Sequence, residues 1–179
     1  MDQTLQRAKE LFTSYFGSYF QMHRDGKYEE YKTYQVTKET EAEWLEESIA
    51  KYTAELSIRN WDAIALLLSI AKNFPDSRIL DNVIAFASRH LMSSDSIVKL
   101  MHAEHSVAIM KLVKDKCSTE QLHNAYKVTA LILEDIISKP LIIDPGHELH
   151  DFQIKDKKSL NNRAAKSIEL IKEMLHETK

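Results

Sequence analysis

Glycine, proline and cysteine are scarce in this chain of 179 residues, which contains 3 glycines, 3 prolines and 1 cysteine. A fold built from β-strands needs many turns, and turns are rich in glycine and proline. The low content of both residues therefore argues against a β-rich fold. A single cysteine cannot form an internal disulfide, which favours a reducing compartment, so we expect a cytoplasmic protein.

The one cysteine is Cys117, and Lys114 and Lys116 lie close to it in the sequence. Neighbouring positive charges lower the pKa of a thiol, so the sequence predicts a somewhat lowered pKa for Cys117. No Cys-His signature surrounds it, and we do not predict a catalytic role.

Long apolar runs are also absent from the sequence. The longest near-apolar run, AIALLLSIA at 63–71, has nine residues, whereas a membrane span needs about 20. The N-terminus lacks the basic region followed by an apolar run that marks a secretory signal. We therefore predict a buried core helix at 63–71 and no membrane association.

Apolar residues recur every three or four positions through most of the chain, which is the period of one face of an α-helix. The clearest stretch predicts a helix over 3–22 with Asp2 as its N-cap. A second helical stretch runs from Tyr28 towards Ile58, with an interruption at 37–40.

The remaining pattern predicts helices over 60–73, 76–92, 95–113, 118–138 and 159–176, with an irregular loop at 139–158 before the last helix. The 60–73 stretch is apolar on nearly all sides, which favours a central position. The sequence thus predicts an all-α fold in a single domain spanning 1–179. We expect an antiparallel bundle of six or seven helices, and a short stack of helical hairpins is the alternative.

Two Glu-x-x-His motifs, Glu120 with His123 and Glu173 with His176, match the spacing found in di-metal carboxylate bundles. A bundle metal site needs ligands that point into the bundle. Both pairs fall at or beyond the edge of the apolar stripe of their helix, so we expect them to face solvent.

The stretch DPGHELHDF at 144–152 is the densest group of metal-ligand residue types. It is not the zinc-hydrolase pattern HExxH, because the second histidine comes one residue too early. The pair His150-Asp151 resembles the His-Asp doublet of HD-type phosphohydrolases, which are helical and bind metal. That family also needs an upstream histidine and a downstream aspartate on later helices, and only Asp156 remains downstream. A solvated, histidine-rich connector is therefore the favoured interpretation.

The alternative interpretation is a metal-dependent hydrolase built on this loop. If residues 144–152 fold over the helix at 95–113, His147, His150 and Asp151 would join His105 and Glu104 around a divalent metal ion. Without that closure we predict no cofactor.

The sequence contains no phosphate-binding glycine loop and no Gly-x-Ser-x-Gly elbow, so no enzymatic activity is assigned. The net charge of −3 argues against nucleic-acid binding, although a modest basic cluster lies at 155–166. We predict a non-catalytic cytosolic helical protein that acts through protein–protein contacts, with a protein partner or as a homo-dimer. The N-terminal aromatic stripe and the tyrosines 28, 31 and 34 offer contact surface, with helix packing the favoured role for the tyrosines.

Overall fold

The computed structural model describes residues 2–178 and is all-helical, with no β-strand in that range. The α-helices of the described residues are α1 (Gln3–Ser14), α2 (Tyr19–Arg24), α3 (Tyr28–Thr33), α4 (Lys38–Ala54), α5 (Asp62–Asn73), α6 (Ser77–His90), α7 (Ser96–Val113), α8 (Thr119–Ser138) and α9 (Lys157–Glu177). Short 3₁₀ turns lie at Leu91–Ser93, Lys114–Lys116 and Leu149–Phe152. The predicted all-α class is confirmed.

Residues 2–178 contain more helices than the six or seven expected, because the N-terminal pattern divides. The predicted helix over 3–22 is wrong as one element: α1 ends at Ser14 and α2 begins at Tyr19. Between them, Phe16 and Gly17 have positive φ angles of 52° and 73°. A Cβ on Gly17 would lie 2.3 Å from the Phe74 ring, so the close approach of that ring requires glycine here.

Side-chain caps mark most helix starts. Asp2 accepts a hydrogen bond from the Thr4 amide at the start of α1, and Ser118 forms a capping box with Gln121 at the start of α8. The second helical stretch is interrupted as predicted, but at 34–37 instead of 37–40, since α3 ends at Thr33 and Thr37 caps α4, which begins at Lys38. Local polar side chains thus set the helix boundaries where the apolar period does not.

The centre of the fold is α7, which packs against α5, α6, α8 and α9. Thirteen of its 18 residues are buried, so it is covered on almost all sides. The expectation that the 60–73 helix is central is therefore wrong. The sequence did not indicate the central position of α7, because Lys99, His102 and His105 interrupt its apolar pattern. In the structure Lys99 and His102 are nevertheless buried.

Lys99 is buried because its charge is paired. Its Nζ lies 2.8 Å from Oδ2 of Asp135 on α8, which is also buried. Asp135 forms a second ion pair with the more exposed Lys139 at the end of α8. Burial alone would raise the pKa of Asp135, but hydrogen bonds from Lys139 and Lys99 outweigh it and lower this pKa.

Besides the main core around α7, a separate apolar cluster lies at the N-terminal end, where Phe12, Tyr31 and Trp44 pack together. Tyr31 is buried and donates a hydrogen bond of 2.7 Å to the buried carboxylate of Glu41. Burial first, and then this hydrogen bond, raise the pKa of Tyr31. Tyr31 therefore serves helix packing, whereas Tyr28 and Tyr34 are half-buried and Phe20 beside this cluster is 76% exposed.

Candidate functional site

The 139–156 segment connects α8 to α9 and is attached to the first turn of α7. Ser96 donates its amide hydrogen to the Ile142 carbonyl oxygen at 2.8 Å, and the Ile142 amide donates to Ser96 Oγ at 3.0 Å. These two hydrogen bonds bring residues 144–152 next to the N-terminus of α7.

The main attachment point of this segment is Asp95, the N-cap of α7, which is 1% exposed. Its Oδ1 accepts a hydrogen bond of 2.8 Å from the Val98 amide. Its Oδ2 accepts one of 2.9 Å from the Asp144 amide and one of 2.6 Å from Nδ1 of His147. Three protein donors therefore satisfy a carboxylate that would otherwise be costly to bury.

The ring of His147 lies against aromatic side chains. Its centroid is 5.7 Å from that of Trp61 and 6.1 Å from that of Phe152. Because an ionised carboxylate only accepts hydrogen bonds, Nδ1 of His147 carries the hydrogen in this contact. The aromatic contacts and the hydrogen bond to Asp95 together hold the imidazole in one orientation.

Asp95, Asp144 and His147 also form a group of metal-ligand type, since one potential ligand atom from each lies within 4.8 Å of the others. Two carboxylates and one imidazole suit a divalent transition metal and would leave coordination positions open. An ion bound there would replace the hydrogen bond between His147 and Asp95. The same residues thus serve as a loop attachment and as a potential metal centre.

The other predicted ligands do not join this group. His150 and Asp151 lie 3.0 Å apart but are both exposed. Glu104 pairs with Arg163 of α9, and Nδ1 of His105 donates to the Met101 carbonyl oxygen at 2.6 Å. Of the five residues predicted from the sequence, only His147 belongs to a group of three metal-ligand side chains among residues 2–178.

Sequence reasoning missed Asp95 and Asp144 as members of the site. Asp95 stands in a short Ser-Ser-Asp turn, where an N-cap role explains it fully. Asp144 precedes a Pro-Gly pair, which is typical of a turn. A search for histidine and aspartate in neighbouring elements would have included both residues, but no sequence signal pairs them.

The two Glu-x-x-His motifs face solvent, as expected. Glu120, His123, Glu173 and His176 are all exposed. A di-metal centre inside the bundle therefore has no support from these residues.

The expectation for Cys117 is wrong. Burial, and to a smaller extent the charge of Asp81, raise the pKa of its thiol. Lys114 does not offset this effect, since its Nζ pairs with Glu177 at 2.8 Å. Cys117 is thus a half-buried thiol whose surroundings disfavour the reactive thiolate form.

The basic cluster at 155–166 is partly used inside the fold. Arg163 pairs with Glu104 and donates to the Phe152 carbonyl oxygen at 3.0 Å. Lys157 donates to the Ile136 carbonyl oxygen. Two of its cations therefore hold α9 in place.

A groove of about 400 Å³ runs between α8 and α9. Its apolar lining includes Ala130 of α8 and the α9 residues Ile168, Ile171 and Leu175. Lys127 and Glu134 stand at its edge on α8. Between these two charges, Leu131 is 48% exposed. We call these seven residues the α8–α9 face.

Comparison with known proteins found no matching family model, no matching curated protein and no matching solved structure. None of the helices in residues 2–178 has the length and apolar composition needed to span a lipid bilayer.

Proposed function

We propose that this chain is a non-catalytic helical protein that acts through protein–protein contact at the α8–α9 face. The observation that supports this proposal is the exposure of Leu131, a large apolar side chain that is 48% exposed beside an apolar groove. Apolar patches bordered by polar residues mark contact surfaces. The proposal includes a cytoplasmic location, which the single cysteine supports.

Photo-crosslinking in cells tests this proposal. The photoreactive residue benzoylphenylalanine replaces Leu131 in one variant and the exposed Lys72 of α5 in a control variant. We expect a discrete protein adduct from position 131 and none of that mass from position 72. An absence of adducts at 131, or the same adducts at both positions, would contradict the proposal.

A second candidate function is a metal-dependent hydrolase, and the specific observation behind it is the group Asp95, Asp144 and His147. In this proposal the metal would polarise a scissile bond and activate water. His150 and Asp151, the other loop residues predicted from the sequence, would stay outside the coordination sphere.

Titration calorimetry of the purified chain with Zn²⁺ and Mn²⁺ tests the second candidate. Replacing the ligand in His147→Ala should abolish binding, whereas His150→Ala, which alters an exposed histidine of the same segment, should leave it unchanged. If neither metal binds the native chain, or if both variants bind equally well, the hydrolase proposal fails.

A further inference from the structure

We infer that the partner at the α8–α9 face is a second copy of this chain, docked through antiparallel pairing of α8 with α8 across a two-fold axis. The inference rests on the proposed function and names its partner. It follows from the positions of four side chains along α8.

The first step is the register. Lys127, Leu131 and Glu134 follow one another at spacings of four and three, so they lie on one stripe of α8. In a two-fold antiparallel pair, the numbers of opposing residues have a constant sum. With the axis between Ala130 and Leu131, Lys127 of each copy opposes Glu134 of the other, and Leu131 opposes Ala130.

The second step is packing. Ala130 is the small residue in the α8 wall of the groove, whose apolar lining continues with Ile168 and Ile171. The exposed Leu131 of one copy would enter this groove in the other copy at Ala130, and the two-fold axis would repeat the contact. A surface that carries both the large side chain and its receiving groove is self-complementary, as an isologous interface requires.

The third step is charge. Neither Lys127 nor Glu134 forms an ion pair with another side chain among residues 2–178. Antiparallel pairing would bring each beside its opposite in the other copy. Parallel pairing would place lysine against lysine and glutamate against glutamate. The charges therefore favour the antiparallel dimer and disfavour the parallel one.

Sedimentation velocity of the purified full chain tests this arrangement through charge reversal. The native chain should form a concentration-dependent dimer. Lys127→Glu should weaken self-association about tenfold, because two attractive contacts become repulsive. Glu134→Lys should have the same effect, and the double variant Lys127→Glu/Glu134→Lys should restore the dimer. The control Lys72→Glu should leave it unchanged.

Three outcomes would overturn the inference: a native chain that stays monomeric, single variants that dimerise as the native chain does, or a double variant that fails to recover. Circular dichroism of each variant checks that the fold is retained. We expect it to be retained because the three changed positions, Lys72, Lys127 and Glu134, are exposed. If position 131 crosslinks to a different protein and the purified chain is monomeric, the partner is not a second copy of this chain. That result would still support the proposed function. An absence of adducts would contradict both.

Discussion

Asp95 and His147 are 52 positions apart in the chain, yet Oδ2 of the aspartate lies 2.6 Å from Nδ1 of the histidine. The carboxylate is both the N-cap of α7 and the attachment point of the 139–156 segment. One side chain thus couples the start of the central helix to the connection between the last two helices.

Asp95→Ala should lower the free energy of unfolding by about 3 kcal/mol, because it removes a helix cap and a hydrogen-bonded buried charge. The matched control is Asp156→Ala, which removes the exposed N-cap of α9 and should cost about 1 kcal/mol. Urea unfolding followed by circular dichroism measures both values. Equal losses in the two variants would mean that Asp95 contributes only as a cap.

The buried and exposed partners of Asp135 should differ strongly in their contribution to stability. Lys99→Met leaves a buried carboxylate with one exposed partner and should cost about 3 kcal/mol. Lys139→Met removes only that exposed partner and should cost less than about 1 kcal/mol. Chemical denaturation compares the two variants, and a larger loss for Lys139→Met would contradict the greater contribution expected of the buried pair between Lys99 and Asp135.

His102 should make stability depend on pH. Its side chain is 1% exposed, and burial lowers its pKa. Nε2 donates to the Asn60 carbonyl oxygen at 3.0 Å, which a neutral imidazole does as well as a charged one. The unfolded chain, with a histidine pKa of about 6.5, takes up a proton that the folded chain resists. Stability should therefore be full above that pH and fall as the pH is lowered through it.

His102→Gln keeps a donor for the Asn60 carbonyl and removes the titration. The pH dependence of its unfolding free energy between neutral and mildly acidic pH should be flatter than that of the native chain. The exposed His150 provides the control, since His150→Gln should retain the native pH profile. If His102→Gln retains that profile too, another group causes the dependence.

Cys117 should react slowly with alkylating reagents. Because burial raises the pKa of its thiol, less of the reactive thiolate is present at neutral pH. Iodoacetamide should modify the folded chain several-fold more slowly than the urea-unfolded chain, as followed by mass spectrometry. A folded chain that reacts as fast as the unfolded one would show that the thiol is accessible and unperturbed.

Most helices could be predicted from the sequence, because their apolar period and their capping residues are both local signals. Asp2 and Ser118 begin their helices as such residues normally do. The break after α1 was not predictable in the same way. The apolar period continues across Gly17, and only the distant Phe74 ring reveals why the chain must turn there.

The candidate site was harder to predict for a related reason. His147 was found because histidine in a polar loop stands out, but its partner Asp95 looked like an ordinary cap. In the alternative metal-site interpretation Glu104 and His105 would join the loop residues, yet Arg163 and the Met101 carbonyl already satisfy them. Such pairings depend on which distant element approaches, and the residues near each position do not encode that choice.

The burial of α7 also has a consequence for synthesis. Two of the helices that cover it, α5 and α6, precede it in the chain, and two, α8 and α9, follow it. During translation the sides of α7 that face α8 and α9 stay uncovered until those helices have left the ribosome. Fragments that stop before α9 should therefore depend on chaperones more than the 179-residue chain does.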